Sequence, residues 1–430
     1  MPLRLTTLLS RNPKLIEQHV RQLADYYAGN NLLCLFTLSA SDSVDWTSCW
    51  RQLRRIAGEG KIENVVGCLS SPLNNVGSKE DGKNLSELLS CSIGIFEPGE
   101  AVAFRSQIPG DRQPQVGRWH SFRKHPEEAP WNESMSFEEN ISWENVWKQG
   151  QDDGAIPLDL QGARPEDISA FLYLTDRSYQ GLARSLTRHY PNASKLGLVA
   201  PSTLTVNELP STLLYGDKPY SEGAVGLALK RSSASYTSGL NVHGVQAISP
   251  SMKITGSNGN IVESINNTNP TQLLLAALEK ADSGDKTSSS YSPMQQFLHE
   301  RIFLGVQDSA GRTSRMYQIS AGDPSRGPLS LMANQAPSSG STAQFFLRPD
   351  SSPFSISTAH SSPQQSIEFV TVQEILSTVE PDLNDEAIHT LGNRFVTASD
   401  AGVVMHGEGS QVESVALGCP VGTHVRLDRA

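Results

Sequence analysis

Continuous apolar runs alternate with helical stripes in the first third of the chain. Residues 32–38 (LLCLFTL) and 62–69 (IENVVGCL) have the length and composition of strands that are buried on both faces. Between them, apolar side chains return at helical spacing from Trp46 to Ala57. A strand, a helix and a strand at this spacing predict a parallel, right-handed crossover.

The same pattern returns further along the chain. Residues 170–174 (AFLYL) and 196–199 (LGLV) predict two strands, and a helical stripe from Tyr179 to Tyr190 lies between them. Two such units suggest an internal duplication. Upstream, Asn12-Pro13 predicts the beginning of a helix that ends near Gly29.

Several strands are predicted outside these two units. Residues 88–95 and 101–107, separated by the turn at 97–99, predict an antiparallel pair. Residues 213–215 and 223–230 predict a hairpin around Gly216-Asp217. One face of its second strand carries only Ala224, Gly226 and Ala228, which favours close packing of another layer over approach of a ligand. Asn258-Gly259 predicts a tight hairpin, which is followed by a helix from Pro270.

The composition bounds the class of protein. The chain has 430 residues, of which 37% are hydrophobic and 19% charged, so two or three domains with sizeable cores are expected. The net charge is −10 and basic residues form no long run, so we expect no nucleic-acid partner. No apolar run has the length of a membrane span. The five cysteines form no CxxC pair, which favours a reducing compartment and no structural zinc, and we expect no cofactor.

The order of these elements carries a family resemblance. Its most specific parts are the strand GAVGLALK at residues 223–230 and the later segment HGVQ…PSMKIT…GNIV between residues 243 and 262. Together with the two crossovers, these motifs resemble the FIST family, the F-box and intracellular signal transduction proteins. Relatives often have Cys-Arg-Pro after the glycine matched by Gly244, where this chain has Val245-Gln246-Ala247. No F-box is evident before Asn12.

The resemblance implies a fold and a domain organisation. We expect an α/β protein in which mixed sheets with βαβ crossovers pack against a second sheet-and-helix module, as a layered α/β sandwich. The FIST N-terminal module is assigned to residues 1–231, with a polar insertion at about 108–160. The FIST C-terminal module is assigned to residues 232–430, with Ser-rich insertions at about 282–293 and 350–366.

The candidate site follows from sheet geometry. Ligands of open parallel sheets bind beyond the carboxyl ends of the strands. This rule and the start of the second module select the following ligand-binding candidates: Cys68, Ser70, Ser71, Thr175, Asp176, Pro201, Ser202 and His243. Purely structural roles are the alternative to ligand binding: Asp176 could cap a helix, Cys68 could be a small core residue and Ser70 could form a turn.

Three functions remain open at the level of sequence. The first is a non-enzymatic intracellular sensor or recognition protein for a small ligand, for which the resemblance suggests amino acids. The second is an adaptor for protein substrates in ubiquitin-dependent degradation, which would use the acidic, Trp-bearing segment 107–159. The third is a hydrolase or transferase with Cys68 as nucleophile beside His243 or His189. No Gly-x-Ser-x-Gly, Walker or His-Glu-x-x-His motif occurs in the sequence, which favours the non-enzymatic classes.

The oligomeric state is left open by the sequence, and the compartment is an expectation. Cysteine usage favours the cytoplasm. The first sixteen residues carry three basic and no acidic side chains, so a mitochondrial location is the alternative.

Overall fold

The structure is a computed structural model of the chain. It describes residues 4–429 with the exception of 42–43, 59–63, 74–75, 78–83, 86–87, 109–154, 202–211, 232–235, 243–244, 283–301, 308–310, 312, 323–326, 334, 349–355, 358–363, 373–380, 407–413 and 417–421. Most of the acidic, Trp-bearing segment and most of the two Ser-rich segments therefore lie outside the described residues.

The helices begin where the sequence predicts. They are α1 (Pro13–Tyr27), α2 (Thr47–Ala57), α3 (Gln180–His189) and α4 (Pro270–Asp282). The side chain of Asn12 caps α1 by accepting a hydrogen bond of 3.1 Å from the Lys14 amide, and Pro13 occupies the first helical position. The Asn269 side chain accepts a bond of 3.0 Å from the Gln272 amide at the start of α4.

The strands follow in chain order. Those before residue 231 are β1 (Arg4–Ser10), β2 (Leu33–Ser39), β3 (Val65–Ser70), β4 (Val76–Gly77), β5 (Asn84–Leu85), β6 (Leu89–Phe96), β7 (Ala101–Ser106), β8 (Ile168–Thr175), β9 (Ser194–Val199), β10 (Leu213–Tyr215), β11 (Lys218–Tyr220) and β12 (Ala224–Lys230). The later ones are β13 (Tyr236–Val242), β14 (Gln246–Ala247), β15 (Met252–Asn258), β16 (Ile261–Ile265), β17 (Ile302–Gln307), β18 (Thr313–Gly322), β19 (Leu329–Leu331), β20 (Thr342–Leu347), β21 (Ile356–Ser357), β22 (Ser366–Thr371), β23 (His389–Gly392), β24 (Arg394–Ser399), β25 (Val403–His406), β26 (Ser414–Ala416) and β27 (Thr423–Arg429).

Three mixed sheets and a barrel hold most of these strands. The first sheet has the order β11-β10-β3-β2-β6-β1-β23, the second β26-β25-β9-β8-β12-β7 and the third β13-β27-β22-β24. Strands β15, β16, β19, β18, β17 and β20 pair in sequence, and β20 pairs again with β15. They therefore close into an antiparallel barrel, which is inserted between β13 and β22.

One four-strand arrangement occurs three times. Repeat 1 consists of β1, β2, β3 and β6, repeat 2 of β7, β8, β9 and β12, and repeat 3 of β13, β22, β24 and β27. In each repeat the second and third strands are parallel neighbours. The fourth strand lies between the first and the second, antiparallel to both. The sequence suggests two copies of the crossover, and the structure shows a third.

The repeats are linked in a cycle. The third strand of each repeat receives an antiparallel partner from the segment that follows the third strand of another repeat. Strand β10, which follows β9, pairs with β3; β25, which follows β24, pairs with β9; and Ser71, which follows β3, forms a bridge with Ala398 of β24. Accordingly β3 also contacts β12, β9 contacts β13, and β24 contacts β1 and β6. The three sheets therefore surround one central hydrophobic core, to which each contributes, for example through Leu35, Val66, Leu172, Leu198, Phe369 and Phe395.

Helices cover the outer faces of two sheets. Buried side chains of α1 and α2 pack against the first sheet, and those of α3 pack against the second. The barrel has its own core, which α4 joins through Leu274 and Leu278. The expected fold class, a layered α/β sandwich of mixed sheets, is confirmed. Because β23 and β25 complete the first and second sheets, segments on both sides of residue 231 share sheets. The division into family modules at this residue stays a prediction.

Two predicted strand pairings are wrong. Strands β6 and β7 do not pair, because β6 lies between β1 and β2 while β7 is the edge of the second sheet. Strand β10 pairs with β11 across the Gly216-Asp217 turn, and β12 lies in the second sheet. The turn at 97–99 therefore connects two sheets, whereas the Gly216-Asp217 turn joins neighbouring strands and the change of sheet occurs between β11 and β12. The sequence suggests no strand at residues 4–10, yet these residues form β1, which pairs with β6 in place of β7.

The small face of β12 packs against the layer that contains α3. Ala224 and Ala228 belong to the core cluster under this helix, together with Phe104 and Phe171. A Cβ atom at Gly226 would collide with the carbonyl oxygen of Leu172 and lie 2.8 Å from the Phe104 ring. The observed contacts support the packing interpretation of this face.

Substitution of Gly226 by alanine is expected to lower the free energy of unfolding by about 1–3 kcal/mol, because the added methyl group overpacks a rigid site. Gly392→Ala in β23 is the matched control. A Cβ atom there meets nothing within 4 Å, so a change below about 0.5 kcal/mol is expected. Denaturant unfolding of both variants measures the difference, and equal stabilities would contradict the packing interpretation.

Candidate functional site at the strand ends

The carboxyl ends of β3, β9 and β24 meet at one end of the molecule. The amide of Ser71 donates to the carbonyl of Ala398 over 2.9 Å, and the hydroxyl of Ser399 donates to the carbonyl of Val199. We call residues 70–71, 199–201 and 397–400 the strand-end rim. The rim unites Ser70, Ser71 and Pro201 of the predicted site, since each repeat places the end of its third strand there.

An exposed carboxylate marks the rim. The Ser71 hydroxyl donates to Asp400 Oδ1 over 3.3 Å and accepts a bond of 3.0 Å from the Asp400 amide. Ser71 itself is buried, whereas Asp400 is exposed. The carboxylate of Asp400 can therefore accept hydrogen bonds from donor groups outside the fold.

The rim and the neighbouring strand β2 contain buried hydroxyl groups that have no hydrogen-bond partner in the described part of the chain. They belong to Thr37, Ser70 and Thr397, none of which is more than 1% exposed. Ser70 lies two residues beyond Cys68 on the same face of β3, and Thr37 is opposite Cys68 in the neighbouring strand. Thr397 lies on the same face of β24 as Phe395, which belongs to the same core as Cys68. An unpaired buried hydroxyl costs about 1–3 kcal/mol, so these groups favour any state that pairs them.

Thr175 has a structural role that recurs in all three repeats. It is the last residue of β8, the second strand of repeat 2, and its hydroxyl donates to the carbonyl of Gly223 over 3.3 Å, just before β12. The equivalent hydroxyls bind the start of the fourth strand in the other two repeats. The Ser39 hydroxyl accepts a hydrogen bond from the Ser90 amide, and the Thr371 hydroxyl donates to the Thr423 carbonyl and accepts from the Thr423 amide. A ligand contact by Thr175 stays a prediction.

Asp176 organises the turn that follows β8. Its carboxylate accepts hydrogen bonds from the amides of Ser178 (2.7 Å) and Gly223 (2.8 Å). Burial raises the pKa of Asp176, although these two bonds act in the opposite direction. The carboxylate therefore stabilises the backbone of the turn next to the rim. This agrees in part with the alternative that Asp176 caps a helix, because one of its partners, Ser178, lies just before α3.

Cys68 is a core residue with a protonated thiol. Its side chain is 0% exposed, and burial raises the pKa of the Cys68 thiol far above the neutral range. A nucleophilic cysteine needs an accessible thiolate, so this environment argues against the hydrolase or transferase alternative. Ser202 and His243 lie outside the described residues, as does most of the segment on which the adaptor alternative depends.

The contribution of repeat 3 to the rim was not predicted from the sequence. Thr397, Ser399 and Asp400 follow the apolar run of β24 just as Ser70 and Ser71 follow that of β3. The sequence signal that could have revealed it is the similarity of VVGCLSS at residues 65–71 to RFVTASD at residues 394–400, since in both an apolar run is followed by small polar residues. It was obscured because the barrel is inserted between β13 and β22.

The described residues show neither a metal site nor a membrane-spanning helix. These residues contain no cluster of three or more His, Cys, Asp or Glu side chains that could hold a metal ion. None of the helices that the structure describes combines the length and the hydropathy needed to cross a membrane.

The fold and the rim define a mixed α/β protein with a polar site at the carboxyl ends of its parallel strands. A family model described as FIST N domain matches residues 136–268, so the chain is similar to the FIST family over this segment. The matched segment includes β8, β9 and β12 and extends into the barrel as far as the β15–β16 hairpin. A C-terminal FIST module is not shown by this match and stays a prediction. The curated proteins contain no match to the chain.

Proposed function

We propose that the chain is a non-enzymatic recognition protein that binds a small polar ligand at the strand-end rim. The family is associated with signal transduction and sensing. The observation that carries the proposal is the pair of unpartnered hydroxyls, Ser70 and Thr397, buried where three strand ends converge. Ligands of parallel sheets bind at such ends, and unpaired polar groups there gain most from a ligand.

The chemistry of the rim supports a free amino acid as the ligand. The exposed carboxylate of Asp400 suits an ammonium group, since charge-assisted hydrogen bonds are the stronger ones. The hydroxyls of Ser70 and Thr397 can donate to a carboxylate. Both hydroxyls have no exposed surface, so binding requires the rim to open. A ligand that binds only the open state shifts the population towards it, and this shift is the response that a sensor needs.

A thermal-shift screen of the full chain against the free amino acids tests this proposal. A ligand present at about 100 times its dissociation constant adds roughly 2.7 kcal/mol of stability. Asp400→Asn is expected to abolish the response without loss of stability, because residue 400 is exposed. Absence of any response to amino acids and other small zwitterions would exclude the proposed ligand class.

Replacing Thr397 by valine separates ligand binding from stability. We expect the variant to be more stable than the native chain by about 1 kcal/mol, because an unpaired buried hydroxyl is removed at constant shape. The same variant is expected to lose the thermal response to the ligand. Denaturant unfolding and the thermal-shift screen measure the two effects.

Thr371→Val is the matched control. The Thr371 hydroxyl donates to the Thr423 carbonyl and accepts from the Thr423 amide, so its removal is expected to destabilise the chain by about 1–3 kcal/mol. A destabilised Thr397→Val variant would show that its hydroxyl has a partner, and the argument for the rim would then be lost.

Two further functional expectations from the sequence remain proposals. They are an adaptor role in ubiquitin-dependent degradation through residues 107–159, and a cytoplasmic or alternatively mitochondrial location. Deletion of residues 109–154, followed by separate assays of ligand binding and partner binding, distinguishes the adaptor role from the sensor role.

A further inference from the structure

A surface groove lies at the end of the first sheet that is remote from the rim. The rim adjoins the carboxyl end of β2, where Ser39 is opposite Ser70, whereas the groove adjoins the start of β2 at Leu32. Its volume is about 570 Å³, which is within the range of small-molecule sites. The end of α1 and the turn between β6 and β7 form its walls, with the lining residues Tyr26, Tyr27, Asn30, Leu32, Glu97, Pro98 and Gly99.

Two tyrosine rings face this groove at the end of α1. The Tyr26 side chain is 76% exposed and is therefore accessible to a ligand. Its ring lies edge to face with that of Tyr27, with centroids 4.8 Å apart and an angle of 84° between the ring planes. The face of a tyrosine ring carries partial negative charge and attracts cations.

The groove also carries negative charge. Glu97 lines the groove with an exposed carboxylate, and the Glu100 carboxylate accepts a hydrogen bond of 3.2 Å from the Glu97 amide. The carboxyl end of α1, which carries the negative end of the helix dipole, reaches the groove without a basic residue in its last turn. The neighbouring cation Arg55 is engaged at 2.8 Å by Asp25. Rings, carboxylate and helix end all favour a positively charged ligand.

We propose that this groove binds the ammonium group of a small aliphatic amine. The tyrosine rings hold the cation by their faces and Glu97 supplies the counter-charge. This site is separate from the proposed amino-acid site, since it lies at the opposite end of the sheet and shares no residue with it. A lysine side chain of a partner protein carries the same chemistry, and the experiment distinguishes the two sources.

Calorimetric titration of the full chain with n-butylammonium chloride tests the proposal, with n-butanol as the neutral probe of similar shape. Butylammonium is expected to bind more weakly as the ionic strength rises, and butanol is expected not to bind. Glu97→Gln should weaken the binding about tenfold. Tyr26→Ala should weaken it about two- to fivefold. Both side chains are exposed, so the two variants are expected to fold like the native chain.

Two control variants sharpen the result. Glu166→Gln removes an exposed carboxylate outside the groove and should leave butylammonium binding unchanged. Thr397→Val, at the rim, should also leave it unchanged, which separates this site from the proposed function. Equal binding of butanol, absence of butylammonium binding, or unaltered affinity in both groove variants would overturn the proposal. A blocked lysine peptide is the test for a partner protein. If it binds at least about tenfold more tightly than butylammonium, and if Glu97→Gln and Tyr26→Ala weaken its binding, the ligand is a lysine side chain of a partner and not a free amine.

Discussion

Replacement of Glu368 by glutamine is expected to lower the free energy of unfolding by about 3–5 kcal/mol, because it leaves a mostly buried guanidinium without its counter-charge. Glu368, in the middle of the third sheet, is 2% exposed. Arg394 donates to both of its carboxylate oxygens, over 3.0 and 2.7 Å, and His424 Nε2 lies 3.1 Å from one of them. The carboxylate therefore joins β22 to β24 and β27, and denaturant unfolding at neutral pH measures its contribution.

The effect of this substitution should depend on pH. Burial alone would raise the pKa of Glu368, but hydrogen bonds from His424 and Arg394, and their charges, hold it well below its ordinary value. A carboxyl group whose pKa is lowered by folding stabilises the native state above its unfolded pKa, about 4.3, and loses this contribution as the pH falls below that value. The stability difference between the native chain and Glu368→Gln is therefore expected to shrink from pH 5 towards pH 3.

Asp428→Asn is the matched control in the same sheet. Asp428 forms an ion pair with Arg426, but both side chains are about a third exposed. Such a pair contributes about 0–1 kcal/mol. A loss as large as that of Glu368→Gln, or a difference for Glu368→Gln that does not vary with pH, would contradict the account of the buried carboxylate.

Phe395→Ala is expected to destabilise the chain by about 3–5 kcal/mol, since it empties a site at the centre of three sheets. Phe395 is 0% exposed and belongs to the core that all three repeats share. Because the repeats share this core, the variant should unfold in one transition at a lower denaturant concentration. Far-ultraviolet circular dichroism and tryptophan fluorescence, recorded together, measure this.

Leu383→Ala provides the comparison for this core substitution. The Leu383 side chain is 55% exposed, so a change within about 0.5 kcal/mol is expected. If Phe395→Ala separated the two optical transitions, the repeats would fold independently and the single-core description would be wrong.

Local signals in the sequence predicted local structure well. Asn12 and Pro13 start α1, the Asn258-Gly259 turn joins β15 to β16, and two crossovers have the predicted parallel strands. Each of these features depends on neighbouring residues, through capping, turn conformation or periodicity. Such features can be read without knowledge of the rest of the fold.

Pairings between distant segments could not be read in this way. Strand β1 contains Thr6 and Thr7, so its sequence does not resemble a buried strand. In the structure the Thr7 hydroxyl donates to the Arg394 carbonyl and accepts from the Val396 amide, and Ser92 bonds the Val396 carbonyl. These hydroxyls satisfy the backbone edge of β24, a strand almost four hundred positions away.

The candidate site shows the same division. Ser70 and Ser71 were predicted because they follow an obvious strand. Thr397 and Asp400 were not, since the barrel separates β13 from β22 and hides repeat 3. Their place beside Ser71 became evident only from the bridge between Ser71 and Ala398.

The cyclic exchange of strands among the repeats has a consequence during synthesis. Strand β9 receives its outer neighbour from residues 403–406, and the edge of β1 is covered by residues 389–392. Until the ribosome has released these late segments, the nascent first and second sheets present open hydrogen-bonding edges, which promote aggregation. The chain is therefore expected to depend on molecular chaperones until its last strands emerge.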